Sequence, residues 1–132
     1  MGSLMNIALQ AGNLFYNKEY NTAIKLLDSY FKYITNKEDL AQFHIEYALC
    51  YEKLKDIEKC NYHCEEAVKL HHSGMYAYER LIKNYIKTKD WKNALRICDK
   101  VFENKKVFSQ PTWEALSSYA LKRKSYILDK ME

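Results

Sequence analysis

Tyr47-Ala48-Leu49-Cys50-Tyr51-Glu52-Lys53-Leu54-Lys55-Asp56-Ile57 returns as Leu81-Ile82-Lys83-Asn84-Tyr85-Ile86-Lys87-Thr88-Lys89-Asp90-Trp91, at an offset of 34 residues. At that spacing Tyr51 falls on Tyr85, Lys53 on Lys87, Lys55-Asp56 on Lys89-Asp90 and Ile57 on Trp91. The match runs on through Cys60 with Ala94, Cys64 with Cys98 and Ala67 with Val101. A third copy lies upstream at an offset of 37, where Ala11, Leu14, Lys18-Glu19-Tyr20, Ala23 and Leu27 fall under Ala48, Tyr51, Lys55-Asp56-Ile57, Cys60 and Cys64. The three extra residues belong in the connection from Thr35 to Glu38. A period of this length marks stacked supersecondary units, none of which buries its apolar face alone.

Each unit holds two apolar runs of helical period around a short polar turn, namely Asn17-Lys18-Glu19, Lys55-Asp56 and Lys89-Asp90, and so reads as a helical hairpin. Asp56 and Asp90 stand where a carboxylate caps the second helix, and Asn36 with Asp39 resembles a capping box opening the next hairpin. The spacing predicts helices over 4–17, 20–34, 38–54, 57–70, 74–88, 91–104 and 111–130. Composition agrees: in 132 residues, three Gly and one Pro leave too little punctuation for an all-β domain. With 48% hydrophobic and 29% charged residues the chain has material for a core. An all-α fold is expected, a right-handed superhelix of antiparallel hairpins.

A 34-residue helix-turn-helix unit with small residues at fixed sites resembles the tetratricopeptide repeat, over about residues 4–108, with hairpins at 4–37, 41–74 and 75–108. The family's small site in the first helix matches Ala11 and Ala48, and its following aromatic matches Tyr51 and Tyr85. The turn-exit aromatic matches Tyr20 and Trp91, and the small site of the second helix matches Ala23, Cys60 and Ala94. The chain departs from the pattern where Lys18, Lys55 and Lys89 replace the usual turn glycine, where His72 and Lys106 fall near the usual proline, and where Tyr30 and Ile82 exceed the usual small residue. Residues 109–132, with Pro111, Trp113, Leu116, Ala120, Ile127 and Met131, read as one more helix capping the open end. Leu121 and Leu128 lie off that stripe, which leaves them for a homodimer or for the next repeat of a longer array.

The resemblance implies a concave groove lined by the first helix of each hairpin. Its sites are Leu9, Phe15 and Tyr16 in the first unit and Ile45, Glu46, Leu49, Glu52 and Lys53 in the second. The third contributes Tyr76, Glu79, Arg80, Lys83 and Lys87 with Ile86 beside them, and the last helix Ser118 and Leu121. The implied function is a non-catalytic protein-interaction module, or an assembly segment, taking a peptide or partner helix with apolar anchors; Arg80, Lys83 and Lys87 favour acidic residues in it. A family subgroup clamps C-terminal carboxylates, and Gly12-Asn13 and Arg80 fit its clamp. Leu9, Glu46 and Tyr76 occupy the other clamp sites, and Glu46 repels a carboxylate, so that activity is rejected.

Two rivals share these residues. Twelve Tyr with 21 Lys and Arg suit nucleic-acid binding, although acidic residues interleave with the lysines and the tyrosines are expected mainly at core sites. A receptor for a short signalling peptide uses the same groove. The net charge of +4 demands no particular partner. Cys60-Asn61-Tyr62-His63-Cys64, with His71 and His72 beyond, has zinc-donor chemistry, but both thiols coincide with internal repeat sites and are expected to be metal-free core fillers. His44 and His63 are expected as half-exposed structural residues. No phosphate loop, GxSxG or HExxH is present, so no enzyme and no cofactor are expected. Apolar runs are too short for a membrane span, and reduced cysteines suit a cytoplasmic protein. Met1-Gly2-Ser3 reads as a leader ahead of Met5, and Asn6 breaks a myristoylation pattern.

Overall fold

A computed structural model describes residues 4–132; the leader reading of residues 1–3 lies outside them. Among the described residues the regular structure is helical: α1 (Met5–Tyr16), α2 (Tyr20–Phe31), α3 (Lys37–Lys53), α4 (Ile57–Lys69), α5 (Tyr76–Lys87), α6 (Trp91–Glu103) and α7 (Gln110–Met131), with a short 3-10 turn at Lys105–Val107. The chain is an all-α helical repeat, divided into two compact units at His72 and Ser73.

The first unit pairs α1 with α2 and α3 with α4, and both α1 and α2 pack on α3. Small residues permit that approach: Ala8, Ala11 and Ala23 are buried with Leu27, Phe43, Tyr47 and Cys50 in one core. The second unit packs α5 on α6 and both on α7. Its buried residues include Ala77, Leu81, Ala94, Ile97, Cys98, Leu116, Ala120 and Ile127. Trp113 sets its ring against Phe102 at 5.5 Å, and Lys124 Nζ reaches Asp99 Oδ1 at 2.8 Å, so α7 is tied to α6 by both an apolar and a charged contact.

Helix ends follow local chemistry. Asp56 Oδ1 accepts from the Lys59 amide and Asp90 Oδ1 from the Asn93 amide, as the two turns predict. At α3 the Asn36 side chain accepts from the Asp39 amide, but Asp39 does not complete a capping box. Its Oδ2 accepts instead from Asn36 Nδ2 at 3.0 Å and from the Leu4 amide at 2.7 Å, which pins the start of α1 to the start of α3. α2 ends at Phe31 rather than at 34, because at its exit the Tyr33 amide bonds the Tyr30 carbonyl and the Ile34 amide the Phe31 carbonyl, i→i+3 bonds in place of the α-helical pattern; Asn36 beyond them is extended and caps α3.

Lys18, Lys55 and Lys89, in the turns inside the three hairpins, adopt left-handed backbone with φ of 64°, 62° and 59°. Each sits in a Schellman turn: the Asp56 amide reaches the Tyr51 carbonyl and the Lys55 amide the Glu52 carbonyl, and the same pattern recurs at Glu19 and Asp90. The turn geometry is kept while the residue that fits it without strain is absent.

Two expectations about side chains need correction. Among the tyrosines only Tyr47 and Tyr78 are buried, while Tyr16, Tyr30, Tyr33, Tyr62 and Tyr126 are exposed. The helical period fixes a face, but a ring on the rim of that face keeps its hydroxyl in water. His44 is buried rather than half-exposed, because α3 is covered on nearly every side.

Candidate functional site

In the first unit the facing sides of α1 and α3 leave a cavity of about 490 Å³. On α1 its walls are Leu9, Phe15 and Tyr16, with Met5, Ala8, Gly12 and Asn13; on α3 they are Gln42, Glu46 and Leu49. The spacing is that of one helical stripe on each side, Leu9-Gly12-Tyr16 and Gln42-Glu46-Leu49. Leu9 is 64% exposed and Tyr16 83% exposed, so the walls are apolar surfaces in water.

The floor is polar. Glu46 is only 9% exposed, and its Oε2 accepts from Gln42 Nε2 at 2.7 Å. The Gln42 carbonyl oxygen in turn lies 3.2 Å from His72 Nε2, which fixes the orientation of the amide. Burial raises the Glu46 carboxyl above its ordinary range, and the bond from Gln42 opposes that shift. Burial, and next the Glu46 charge, push the Cys50 thiol up to about 11.

The groove residues expected from the sequence are thus partly assembled. Leu9, Phe15, Tyr16, Glu46 and Leu49 meet at one cavity. Ile45 is buried, and Glu52 and Lys53 lie further along α3 outside the cavity lining. In the second unit Tyr76, Glu79 and Arg80 are half-buried on α5, while Lys83 and Lys87 are exposed. Lys83 pairs with Glu79 at 3.5 Å and stands over the Tyr119 ring of α7 at 5.9 Å. Leu121 is exposed on α7, as is Ser118. Gln42 was not anticipated as a groove residue; its place one helical step before Glu46 is the signal that would have found it.

A second, shallower cavity of about 350 Å³ lies among α2, α3 and α4. There His44 Nδ1 and His63 Nδ1 are 2.9 Å apart, one donating to the other. Tyr47 and Tyr51 stack on the His63 ring, and the Tyr47 hydroxyl donates to Asp28 at 2.7 Å. Burial, and then the neighbouring His44, lower the His63 pKa to about 4; burial lowers that of His44 against the opposing charge of Glu66. His63 therefore turns to His44 and the tyrosines, and Cys60 and Cys64 are buried thiols outside any disulfide. Among the described residues no group of three or more His, Cys, Asp or Glu is placed to hold a metal ion.

Comparison with known proteins gives one partial likeness. The chain is 37% identical over 51 residues to Protein DIA2 of Saccharomyces cerevisiae, a match covering 39% of this chain and 7% of that protein. It therefore spans a small fraction of the length of the curated relative it matches. No family model matches the chain, and no solved structure matches it. Among the described residues no helix is long and apolar enough to cross a membrane.

Proposed function

We propose that this chain is a tetratricopeptide-like, non-catalytic protein-interaction module of the cytoplasm, and that the groove between α1 and α3 seats an apolar segment of a partner peptide or helix. The observation that carries this reading is the cavity of about 490 Å³ between the first helices of successive hairpins, walled by exposed Leu9 and Tyr16. Apolar surface of that kind gains by leaving water, at about 25 cal/mol per Å², and a concave site concentrates the gain on a few anchors. The cavity histidines His44 and His63 are engaged with each other and with Tyr47 and Tyr51, and His72 with Gln42, which supports binding rather than catalysis at either cavity.

Affinity capture from lysate tests it, comparing the wild-type chain with a Leu9→Glu/Tyr16→Glu variant. Both residues are exposed, so the variant should fold as the wild type does. Partners retained by the wild type and lost by the variant are expected. Identical sets from both would reject the groove. Capture of nucleic acid that falls steeply with rising salt would instead favour phosphate contacts and the exposed tyrosines.

A further inference from the structure

We infer that the α1–α3 groove takes a lysine side chain from its partner, the ammonium bonding Glu46 Oε1 while the aliphatic stem lies along Leu9 and Leu49. This deepens the groove reading and rests on it. The sign of charge is the opposite of the acidic partner that Arg80, Lys83 and Lys87 suggest, because those residues belong to the second unit.

Among the described residues Glu46 is the only charged one lining the cavity. It is nine-tenths buried, and none of the ion pairs of the described residues involves it. A carboxylate withdrawn from water without a cation is costly, and one that a ligand cation can reach recovers part of that cost on binding. An acidic anchor would be repelled from the same floor.

The surroundings select the kind of cation. Gln42 occupies Oε2, and the contact of Gln42 with His72 holds the amide in that orientation. One oxygen remains, which suits a point-charge ammonium better than a guanidinium seeking two parallel bonds. The space at Oε1 comes from Gly12: a Cβ there would lie 3.5 Å from Glu46 Oε1. Gly12 has no left-handed backbone to explain it, and glycine inside a helix costs about 1 kcal/mol relative to alanine. What its missing side chain supplies is access to the carboxylate. Leu9, Leu49 and the rings of Phe15 and Tyr16 then cover the lysine stem and add cation–π attraction.

The test uses a random dodecapeptide display library selected on the whole chain, with amide chemical shifts locating each binder. Binders seated on α1 and α3 are expected to carry a lysine beside Leu, Ile, Phe or Met. Fluorescence anisotropy then compares one such peptide, and the same peptide with its lysine replaced by norleucine, on wild type, Glu46→Gln and Gly12→Ala. The lysine peptide should lose about tenfold or more on either variant, the norleucine peptide less than about twofold. Gly12→Ala guards against misfolding, since a methyl fits at ordinary contact and favours the helix. Groove binders without a basic residue, or a lysine peptide indifferent to Glu46→Gln, would overturn the lysine site and leave the groove standing. Absence of any binder that shifts α1 and α3 resonances would overturn both.

Discussion

Replacing Lys55 or Lys89 by glycine should stabilise the chain, although it removes a side chain and adds backbone freedom. Both residues hold left-handed backbone, φ 62° and 59°, between two helices whose Schellman bonds are formed. For a residue with a Cβ that conformation costs about 1–2 kcal/mol, which glycine does not pay. Glycine returns about 0.5–1 kcal/mol through the larger entropy of the unfolded chain. The net expected gain is about 0.5–1 kcal/mol per site, or a rise in melting temperature of about 2–8 °C for units of this size. Lys55→Ala and Lys89→Ala supply the control, since alanine keeps the Cβ and its strain and should change stability by less than about 0.5 kcal/mol. Urea unfolding followed by circular dichroism reads the difference at constant m-value. If glycine instead lowers stability by about 1 kcal/mol at both sites, as it does inside a helix, these lysines are not left-handed and the hairpin turns are wrongly placed.

Other consequences follow from the same packing. Stability should fall as pH drops from about 6.5 to about 4, because the unfolded chain binds a proton at His63 near its ordinary value of 6.5 that the folded chain refuses until about 4. Glu46, with its raised pKa, acts in the opposite sense, and His63→Asn should flatten the slope if the histidine dominates. Buried Cys50 and Cys98, their thiols pushed up to about 11 by burial, should resist dithionitrobenzoate in the folded chain and react at once in denaturant; fast reaction of the folded chain would mean the core is open. Leu121, 59% exposed, and Leu128, 45% exposed, should drive any self-association. A dimer seen by sedimentation should vanish in Leu121→Glu/Leu128→Glu, and a dimer that persists would place the contact elsewhere.

Much of the helical order was legible in the sequence because turns and caps are local. Lys55-Asp56 and Lys89-Asp90 each join a left-handed residue to a capping carboxylate, a pairing that needs no tertiary information. The groove was half legible. Leu9, Tyr16 and Leu49 were named through the resemblance to the tetratricopeptide repeat, which implies a groove along the first helices; helical period alone assigns residues to a face without saying what that face does. Period fails for α3, where Asp39, His44 and Glu46 are buried among Ala41, Phe43, Ile45, Tyr47 and Ala48, so no polar stripe remains to orient the helix. For that reason the burial of Glu46 and the His44–His63 contact were out of reach, as both depend on which neighbour covers which side, while Gln42 was legible one helical step before Glu46 but was not read. The tyrosines misled in the other direction, since their rings count as apolar while their hydroxyls keep five of the twelve exposed and five more half-buried.

Photo-crosslinking in cells tests the central claim most directly, with benzoylphenylalanine placed in turn at Leu9 and Leu49 on the groove and at Tyr33 and Lys59 away from it. The account predicts a crosslinked partner from Leu9 and Leu49, reduced in the Glu46→Gln background, and none from Tyr33 or Lys59. A partner captured from Tyr33 or Lys59 and absent from both groove positions would contradict it.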